Sequence, residues 1–315
     1  MDKIKIGISS CLMGNNVRYN GGHQRDRFIT DTLAKYCEFV PVCPEVECGL
    51  PVPRESMRLV GDVDNPRLVT TRSKIDKTDQ MTGWMNLRLN ALEREDLVAF
   101  IFKTKSPSSG MRSVKVYSEN GNVVSYKGRG IFAAGFTTRF PDIPVEDEGR
   151  LHDPGIRENF IETIFVLQRW RRSVRNGGPG ELVDFHTRHK YTLMAHGPEK
   201  LREMGKIVAR AGAVNIAALR DEYLTLLLQA MNLKKTVKKN YNVLLHVAGY
   251  FKRDIDSIER NELQELATQY YKSFVPLIVP LTLINHFARK YNQTYLINQW
   301  YLNPHPVELG LLNHV

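Results

Sequence analysis

The amino-acid sequence predicts an α/β domain with a mostly parallel sheet, followed by an all-α domain. In residues 1–152, apolar strand-like runs alternate with segments of helical spacing, and this alternation requires crossover connections between parallel strands. From residue 153 onward, strand signals fade and helical spacing takes over. The chain has 315 residues, which is room for two domains of ordinary size. We therefore expect domains at 1–152 and 153–315.

The first domain is predicted to contain three buried strands. In chain order they are residues 4–10, 38–42 and 97–102. A helical segment at 25–36 separates the first two strands. After the second strand comes a loop rich in Pro, Arg and Asp, and then a helix at 82–94 that leads into the third strand.

The second domain is predicted to be helical throughout. Its apolar residues recur at helical spacing, and prolines separate several of the segments. The predicted helical stretches are 160–167, 219–227, 243–252, 261–274 and 277–291. The stretch 172–180, with the sequence RSVRNGGPG, is the most plausible hinge.

Charge is distributed unevenly along the chain. Residues 1–150 hold 22 Lys and Arg against 19 Asp and Glu, a net charge of +3. Residues 151–315 hold 22 against 15, a net charge of +7. A positive excess of this kind suggests a polyanionic partner that contacts mainly the second half.

The apolar composition argues against a membrane protein. No stretch approaches the roughly 18 consecutive apolar residues that a membrane span needs. The first residues enter a strand pattern directly, without the apolar region and cleavage site of a secretory signal. We therefore expect a cytoplasmic protein with no membrane partner.

Three predicted strands end in loops that carry side chains suited to metal binding or catalysis. Cys11 and Cys43 follow the first two strands, and Ser109 lies in the loop after the third. Parallel strands place these loops at one edge of the sheet, so we expect the three residues to lie close together. Dispersed thiolates at a sheet edge suit an iron-sulfur cluster, whereas the spacing does not match a zinc ribbon. Cys37 and Cys48 are expected to be bystanders.

Several motifs follow one another along the first half. They are Ser10-Cys11-Leu12-x-Gly14, Val17-Arg18-Tyr19-Asn20-Gly21, Cys43-Pro44-Glu45-Val46, Gly49-Leu50-Pro51-x-Pro53-Arg54, Lys105-Ser106-Pro107-Ser108-x-Gly110 and Glu148-Gly149-Arg150-Leu151. In this order and spacing they resemble the thiouracil desulfidase (TudS) family. The resemblance covers about the first 150 residues.

The second half contains three further motifs. They are Phe185-His186-x-x-His189-Lys190, Thr236-Val237-Lys238-Lys239-x-x-Asn242-Val243-Leu244 and Tyr301-Leu302-x-Pro304-His305-Pro306. They resemble a YbgA-type domain. The fusion as a whole is similar to the RudS-type desulfidases that remove sulfur from 4-thiouridine in tRNA.

The resemblance implies a 4Fe-4S cluster with three protein ligands and one open iron. By position the ligands would be Cys11, Cys43 and residue 109, where the family has cysteine and this chain has Ser109. Glu45 would handle protons, and Ser106 would orient the thiolated uracil or the attacking water. Sulfur would leave as hydrosulfide without a net redox change.

Two interpretations of Ser109 remain open. Serine is nearly isosteric with cysteine, but its hydroxyl is a hard donor and a poor partner for cluster iron. Either the residue is a deliberate change that disables the site, or it is a natural loss of the third thiolate. We favour the first, because every neighbouring motif residue is intact, and we expect an inactivated variant.

The helical half is expected to bind the tRNA. Lys234, Lys235, Lys238 and Lys239 recur at i, i+4 spacing, and a second basic cluster includes Arg171 and Arg172. Such clusters bind phosphates without reading sequence. Three histidines of this half, His186, His189 and His196, fall roughly on one helical face, for which we expect RNA contact or helix packing rather than metal binding.

Two other functions remain open. A desulfidase for free thiolated bases would use the helical half for stability or dimerisation. A redox-sensing or RNA-binding protein would carry a cluster that is not catalytic.

Overall fold

A computed structural model describes residues 3–213 and 215–314. Along the chain it divides into two compact units, residues 1–157 and 158–315. The division falls in the first turn of a long helix. As predicted, the first unit contains a mostly parallel sheet and the second is helical.

In the residues of the first unit that the structure describes, eight strands form two sheets of four. They are β1 (Ile4–Ser9), β2 (Cys37–Val42), β3 (Met57–Gly61), β4 (Pro66–Thr70), β5 (Ala99–Phe102), β6 (Val114–Tyr117), β7 (Val123–Gly128) and β8 (Val145–Asp147). The first sheet has the order β2-β1-β5-β8, and all of its pairs are parallel. The predicted strands β1, β2 and β5 are therefore neighbours in one parallel sheet.

The second sheet was not predicted, and it has the order β4-β3-β6-β7. Strands β3 and β4 lie where the sequence predicted a loop, and β6 and β7 lie in a region without a predicted element. Its two outer pairs are antiparallel, and β3 and β6 pair in parallel. The strands are short and partly polar, which hides them from a search for apolar runs. One local signal was present, because the Asn120-Gly121 pair between β6 and β7 is typical of hairpin turns.

From residue 3 to the start of the helical unit, the structure describes three α-helices. They are α1 (Pro44–Glu47), α2 (Thr78–Glu93) and α3 (Ile131–Arg139). The predicted helix at 25–36 is instead a π turn over Phe28–Thr32 followed by a 3-10 turn over Leu33–Lys35.

Phenylalanines of β5 and α3 build the core beneath the first sheet. Phe100 and Phe102 pack with their rings stacked 4.3 Å apart, and both contact Phe132 and Phe136. A Cβ atom at Gly7 would come within 2.2 Å of the Phe100 ring. Glycine in β1 therefore lets the β5 aromatic side chain pack directly against the strand backbone.

The second unit is built from nine α-helices in its described residues. They are α4 (Pro154–Ser173), α5 (Pro179–Arg188), α6 (Lys190–His196), α7 (Pro198–Val208), α8 (Ile216–Met231), α9 (Val237–Ala248), α10 (Ser257–Tyr271), α11 (Ile278–Lys290) and α12 (Thr294–Ile297). The predicted hinge at 172–180 lies between α4 and α5, inside this unit, so it does not join the two units. In the ranges that the structure describes, no helix is long and apolar enough to cross a membrane.

Candidate active site at the carboxyl edge of the first sheet

Loops from the carboxyl ends of β1, β2 and β5 surround one cavity of about 400 Å³. Cys11, Cys43 and Ser109 all line it, and so do Glu45 and Ser106. The structure thus brings together the three predicted ligand positions and both predicted catalytic residues. The physical cause is the shared direction of the parallel strands, which end at the same edge.

The two thiols are buried against the base of the cavity. Cys11 and Cys43 are each 8% exposed. Burial raises the pKa of Cys11 to about 11 and that of Cys43 to about 12. Both are therefore neutral thiols at pH 7, and each has to release a proton before it can bind a metal as thiolate.

A short helix holds Cys43 and Glu45 next to each other. Helix α1 begins with Pro44, which suits the first helical position because it lacks an N–H. The backbone N–H of Cys43 donates to Glu47 Oε1 at 2.8 Å, and Glu47 in turn pairs with Arg88 at 3.1 Å. These contacts hold the end of β2 in place and direct Glu45 towards the cavity.

Three groups contact the Glu45 carboxylate. The Ser108 hydroxyl donates to Oε1 at 2.6 Å, and Arg54 Nη2 lies 3.8 Å from Oε2. The thiol of Cys43 lies 3.6 Å from Oε2. The side chain of Arg54 is only 8% exposed and also donates to the Val17 carbonyl at 3.0 Å. Glu45 therefore lies in a largely buried setting with one cationic and one hydroxyl partner.

Ser106 organises the loop that carries Ser108 and Ser109. Its Oγ accepts the backbone N–H of Ser109 at 3.1 Å and that of Ser108 at 3.3 Å. It also lies 3.0 Å from Ser108 Oγ. Because Ser108 donates its only hydroxyl proton to Glu45, Ser106 is the donor in this contact. The side chains of Ser106, Ser108 and Glu45 therefore form a hydrogen-bonded series. Ser106 donates to Ser108, and Ser108 donates to the Glu45 carboxylate.

Gly110 and Gly130 permit the close approach that fixes this loop. A Cβ at Gly110 would lie 2.6 Å from the Ser106 carbonyl, and a Cβ at Gly130 would lie 2.5 Å from the Ser108 carbonyl. The first turn of α3 then donates to the loop, with Ala133 N–H bound to the Ser108 carbonyl at 3.2 Å. The position of residue 109 is therefore determined by backbone packing and not by its side chain.

A fourth strand supports the loop from the other side. Glu148, directly after β8, accepts the Thr104 N–H at 2.7 Å and forms an ion pair with Lys103. Ser108, Arg54 and Glu148 were not assigned roles from the sequence. All three did lie inside the family motifs, but their contacts depend on residues far away in the chain.

The two cysteines that were expected to be bystanders, Cys37 and Cys48, lie outside the cavity lining. Cys37 is buried at the start of β2. The Cys48 thiol donates to the backbone carbonyl of Glu45 at 3.2 Å. Neither residue lines the cavity.

The basic residues of the helical unit have different environments. Lys234 and Lys238 are exposed. Lys239 donates to the His196 and Lys234 carbonyls at 2.6 and 2.9 Å, so it links two helix ends. Of the two predicted arginines, Arg172 is exposed and Arg171 is half-buried.

Lys235 is a correction to the predicted RNA-contacting set. Its ammonium group is buried and pairs with Glu158 at 2.9 Å and with Glu162 at 2.8 Å. Glu162 also contacts His196 Nε2 at 3.0 Å. Burial alone would raise the pKa of Glu162 and lower that of Lys235, but their opposite charges outweigh it. The pair therefore stays ionised at neutral pH, and Lys235 is the buried cation that faces both carboxylates.

Replacing Lys235 with alanine is expected to lower the free energy of unfolding of the helical unit by about 3–5 kcal/mol. The reason is that two buried carboxylates would lose their cation. Urea denaturation followed by far-UV circular dichroism measures this change. The matched control is Lys234→Ala, an exposed neighbour that should change stability by no more than about 0.5 kcal/mol. If both substitutions lowered the free energy of unfolding equally, Lys235 would not be the buried partner of the two carboxylates.

The three histidines lie in separate environments, not on one helical face. His186 Nδ1 lies 3.1 Å from the Tyr223 hydroxyl, and His189 Nδ1 lies 2.8 Å from the Phe185 carbonyl. Burial lowers the pKa of His186 to about 4 and that of His189 to about 3, so both are neutral at pH 7. His196 takes part in the buried network of Glu162. Within the described part of the chain, no group of three His, Cys, Asp or Glu side chains is placed to hold a metal ion.

Comparison with known proteins shows that each half of the chain matches a protein-family model. Residues 6–148 match the family model described as 2-thiouracil desulfurase, so the sheet and its cavity define a desulfidase-class domain. Residues 190–306 match the model described as a protein of unknown function, DUF1722. The chain belongs to the family in which a 2-thiouracil desulfurase domain precedes a DUF1722, or YbgA-like, domain.

Two curated relatives and one solved structure are similar to parts of the chain. The uncharacterised protein YbgA of Escherichia coli K12 is 31% identical over 150 residues, which is 47% of this chain and 89% of YbgA. The uncharacterised protein YbbK of Bacillus subtilis 168 is 31% identical over 134 residues, which is 41% of this chain and 87% of YbbK. The structure of the 4Fe-4S-dependent thiouracil desulfidase TudS is 32% identical, with a TM-score of 0.39, and covers 48% of this chain and 95% of TudS.

Proposed function

We propose that this protein is a desulfidase for 4-thiouridine in tRNA, built to use a 4Fe-4S cluster with three protein ligands. The reaction replaces sulfur by oxygen on the uracil ring: water adds its oxygen to the carbon, and sulfur leaves as hydrosulfide with a proton. No electron acceptor is needed. The observation that carries the proposal is the single cavity lined by Cys11, Cys43, residue 109, Glu45 and Ser106.

The donor set of the cavity fits a cluster at two of three positions. Cys11 and Cys43 offer soft sulfur donors, whereas Ser109 offers a hard hydroxyl that iron in a cluster binds poorly. When bound, the cluster would supply a Lewis-acidic iron that holds the thiocarbonyl sulfur. The set becomes complete with cysteine at position 109, so we propose that the chain with Ser109 is an inactivated form.

Glu45 is proposed as the proton acceptor for the attacking water. Ser108 and Arg54 hold its two carboxylate oxygens, so the group keeps one orientation at the cavity wall. A fixed carboxylate in a largely buried cavity can take the water proton and later release it to solvent. Ser106 lines the same wall, where it supports Ser108 and is placed to orient the ring or the water.

The helical unit is proposed to bind the tRNA. Residues 151–315 carry a net charge of +7, and phosphate groups contribute most of the affinity in nucleic-acid complexes. With Lys235 removed from the set and Lys239 bound to carbonyls, the proposed contacts are Lys234, Lys238, Arg171 and Arg172.

The deciding experiment compares substrates for the Ser109→Cys variant after anaerobic iron-sulfur reconstitution. We expect tRNA that contains 4-thiouridine to release hydrosulfide, and the rate below saturation to fall steeply with salt because phosphate contacts are lost. Conversion of free 4-thiouracil with thiolated tRNA left untouched would support the alternative, a desulfidase for free thiolated bases. Turnover of neither substrate by a loaded cluster would support a redox-sensing or RNA-binding function.

A further inference from the structure

An exposed group of aromatic side chains lies where α9 and α10 pack together. Phe274, just beyond the end of α10, is 72% exposed, and Tyr271 in the last turn is 48% exposed. The ring of Tyr271 lies 4.7 Å from that of Tyr241 on α9, with the planes inclined by 36°. Tyr241 is half-buried, and Phe274 follows Tyr271 by three residues in the chain. We call these three residues the aromatic platform.

The backbone at the end of α10 holds Phe274 in a defined position. The N–H of Phe274 donates to the Gln269 carbonyl at 2.9 Å, and the N–H of Ser273 donates to the Tyr270 carbonyl at 2.9 Å. Ser273 has φ of +58°, so the two bonds form a Schellman cap with serine at the position that usually needs glycine. A cap of this type commonly packs its following apolar residue on the helix, but here that residue faces solvent. The chain accepts a strained serine and an exposed phenylalanine at the same place.

Two exposed lysines lie close to the aromatic platform along the chain. Lys238 lies one helical turn before Tyr241 on α9, and Lys272 is the next residue after Tyr271. Both lysines are exposed. The nearest carboxylate along α10, Glu265, accepts a hydrogen bond from Gln269 at 3.0 Å. Two exposed rings, one half-buried ring and two exposed lysines therefore lie on α9 and at the end of α10.

We propose that the aromatic platform stacks unpaired bases of RNA while Lys238 and Lys272 contact the flanking phosphates. This inference rests on the proposed tRNA function and specifies how the helical unit binds its partner. Stacked bases suit the surface because every base presents a π face, and lysines beside the rings match the phosphate backbone. A protein partner or a second copy of this chain could pack on the rings, but it would not have the phosphate groups that pair with the two lysines.

The test measures the affinity of the full chain for a fluorescein-labelled single-stranded RNA of about 12 nucleotides by fluorescence anisotropy. Phe274→Ala should weaken binding about tenfold, which is the loss of one stacked base. Phe274→Tyr should restore the affinity, because it keeps the ring. Lys238→Gln should reduce the dependence of log affinity on log salt by about 0.7, as expected for one phosphate contact on a single strand.

Two controls make the result specific. Ile258→Ala removes an apolar side chain that is 76% exposed at the other end of α10, and it should leave the affinity unchanged. A fully paired RNA of the same length offers no free bases, so Phe274→Ala should alter its binding by less than about twofold.

An unchanged affinity of Phe274→Ala for single-stranded RNA would overturn the inference. So would analytical ultracentrifugation that shows self-association which Phe274→Ala abolishes, since the platform would then be a protein interface. A different result would overturn the proposed desulfidase function and leave the inference about the aromatic platform intact. In that case RNA binds through Phe274, but the reconstituted Ser109→Cys variant releases no hydrosulfide from thiolated tRNA.

Discussion

Replacing Ser109 with cysteine is expected to turn an incomplete site into a loaded and active one. The backbone of residue 109 is held by the Ser106 hydroxyl and by the Gly110 and Gly130 contacts, so a thiol will occupy the place of the hydroxyl without rebuilding the loop. After anaerobic reconstitution, the variant should bind four irons per chain and show thiolate-to-iron absorbance. Its hydrosulfide release should exceed that of the Ser109 chain at least about a hundredfold, because a Lewis-acid metal contributes several kcal/mol to catalysis.

Ser108→Cys is the matched control for this prediction. Ser108 is completely buried and stands beside Ser109, but its side chain does not line the cavity. A thiol at position 108 should therefore leave iron content as low as in the Ser109 chain. A Ser109 chain that binds four irons and releases hydrosulfide as fast as Ser109→Cys would mean that another residue is the third ligand. Cys48 would be the first candidate, and Cys48→Ala would then remove the iron.

Replacing Glu45 with glutamine in the Ser109→Cys background is expected to lower the rate of hydrosulfide release about 10²- to 10⁴-fold. Glutamine keeps the shape of the side chain and an oxygen for the Ser108 hydrogen bond, but it cannot take a proton from water. Iron content should stay the same, because the side chain of residue 45 is not a proposed ligand. The loss should appear in kcat and leave KM nearly unchanged, since the carboxylate acts on the water and not on substrate binding.

Glu38→Gln is the control for the loss of a carboxylate in the same unit. Glu38 is exposed on β2 and lies outside the cavity, so we expect no change in rate. A Glu45→Gln variant with full turnover would instead support a cluster whose role is sensing or RNA binding.

Much of the first unit could be predicted from its apolar runs. Strand β5 is buried on both faces, as in most parallel sheets, and therefore appears in the sequence as a continuous apolar run, and β1 buries every residue except Lys5. Strand β2 lies at the edge of the sheet and exposes Glu38 and Pro41, but its apolar residues were still enough to predict a strand. The second sheet escaped prediction because its strands are four to six residues long and expose many of their side chains. In such strands the pairing partner, which is distant in sequence, decides the structure.

The candidate site was predictable in its location but only partly in its contacts. Cys11, Cys43 and residue 109 follow parallel strands, and strand direction alone places them at one edge. The partner of Glu45 is Ser108, 63 residues away, and no periodicity in the sequence relates the two positions. Whether that location binds a 4Fe-4S cluster remains a prediction for reconstitution to test.

The helical unit shows the same division between local pattern and tertiary contact. The spacing of Lys234, Lys235, Lys238 and Lys239 placed four cations on one segment, but it could not say which of them reach solvent. Packing against α4 buries Lys235 beside Glu158 and Glu162. The ammonium group of Lys239 donates hydrogen bonds to two backbone carbonyls.

The sequence by itself determined the α/β and all-α division, the edge of the sheet where ligand-type residues collect, and the excess positive charge of the second half. These depend on apolar periodicity, strand direction and residue counts, which are local or additive properties. Only the tertiary structure decided which side chain holds Glu45, which lysines are free to meet a phosphate and which aromatic rings stay exposed. Burial and hydrogen-bond partners arise between segments far apart in the chain, so no local pattern contains them.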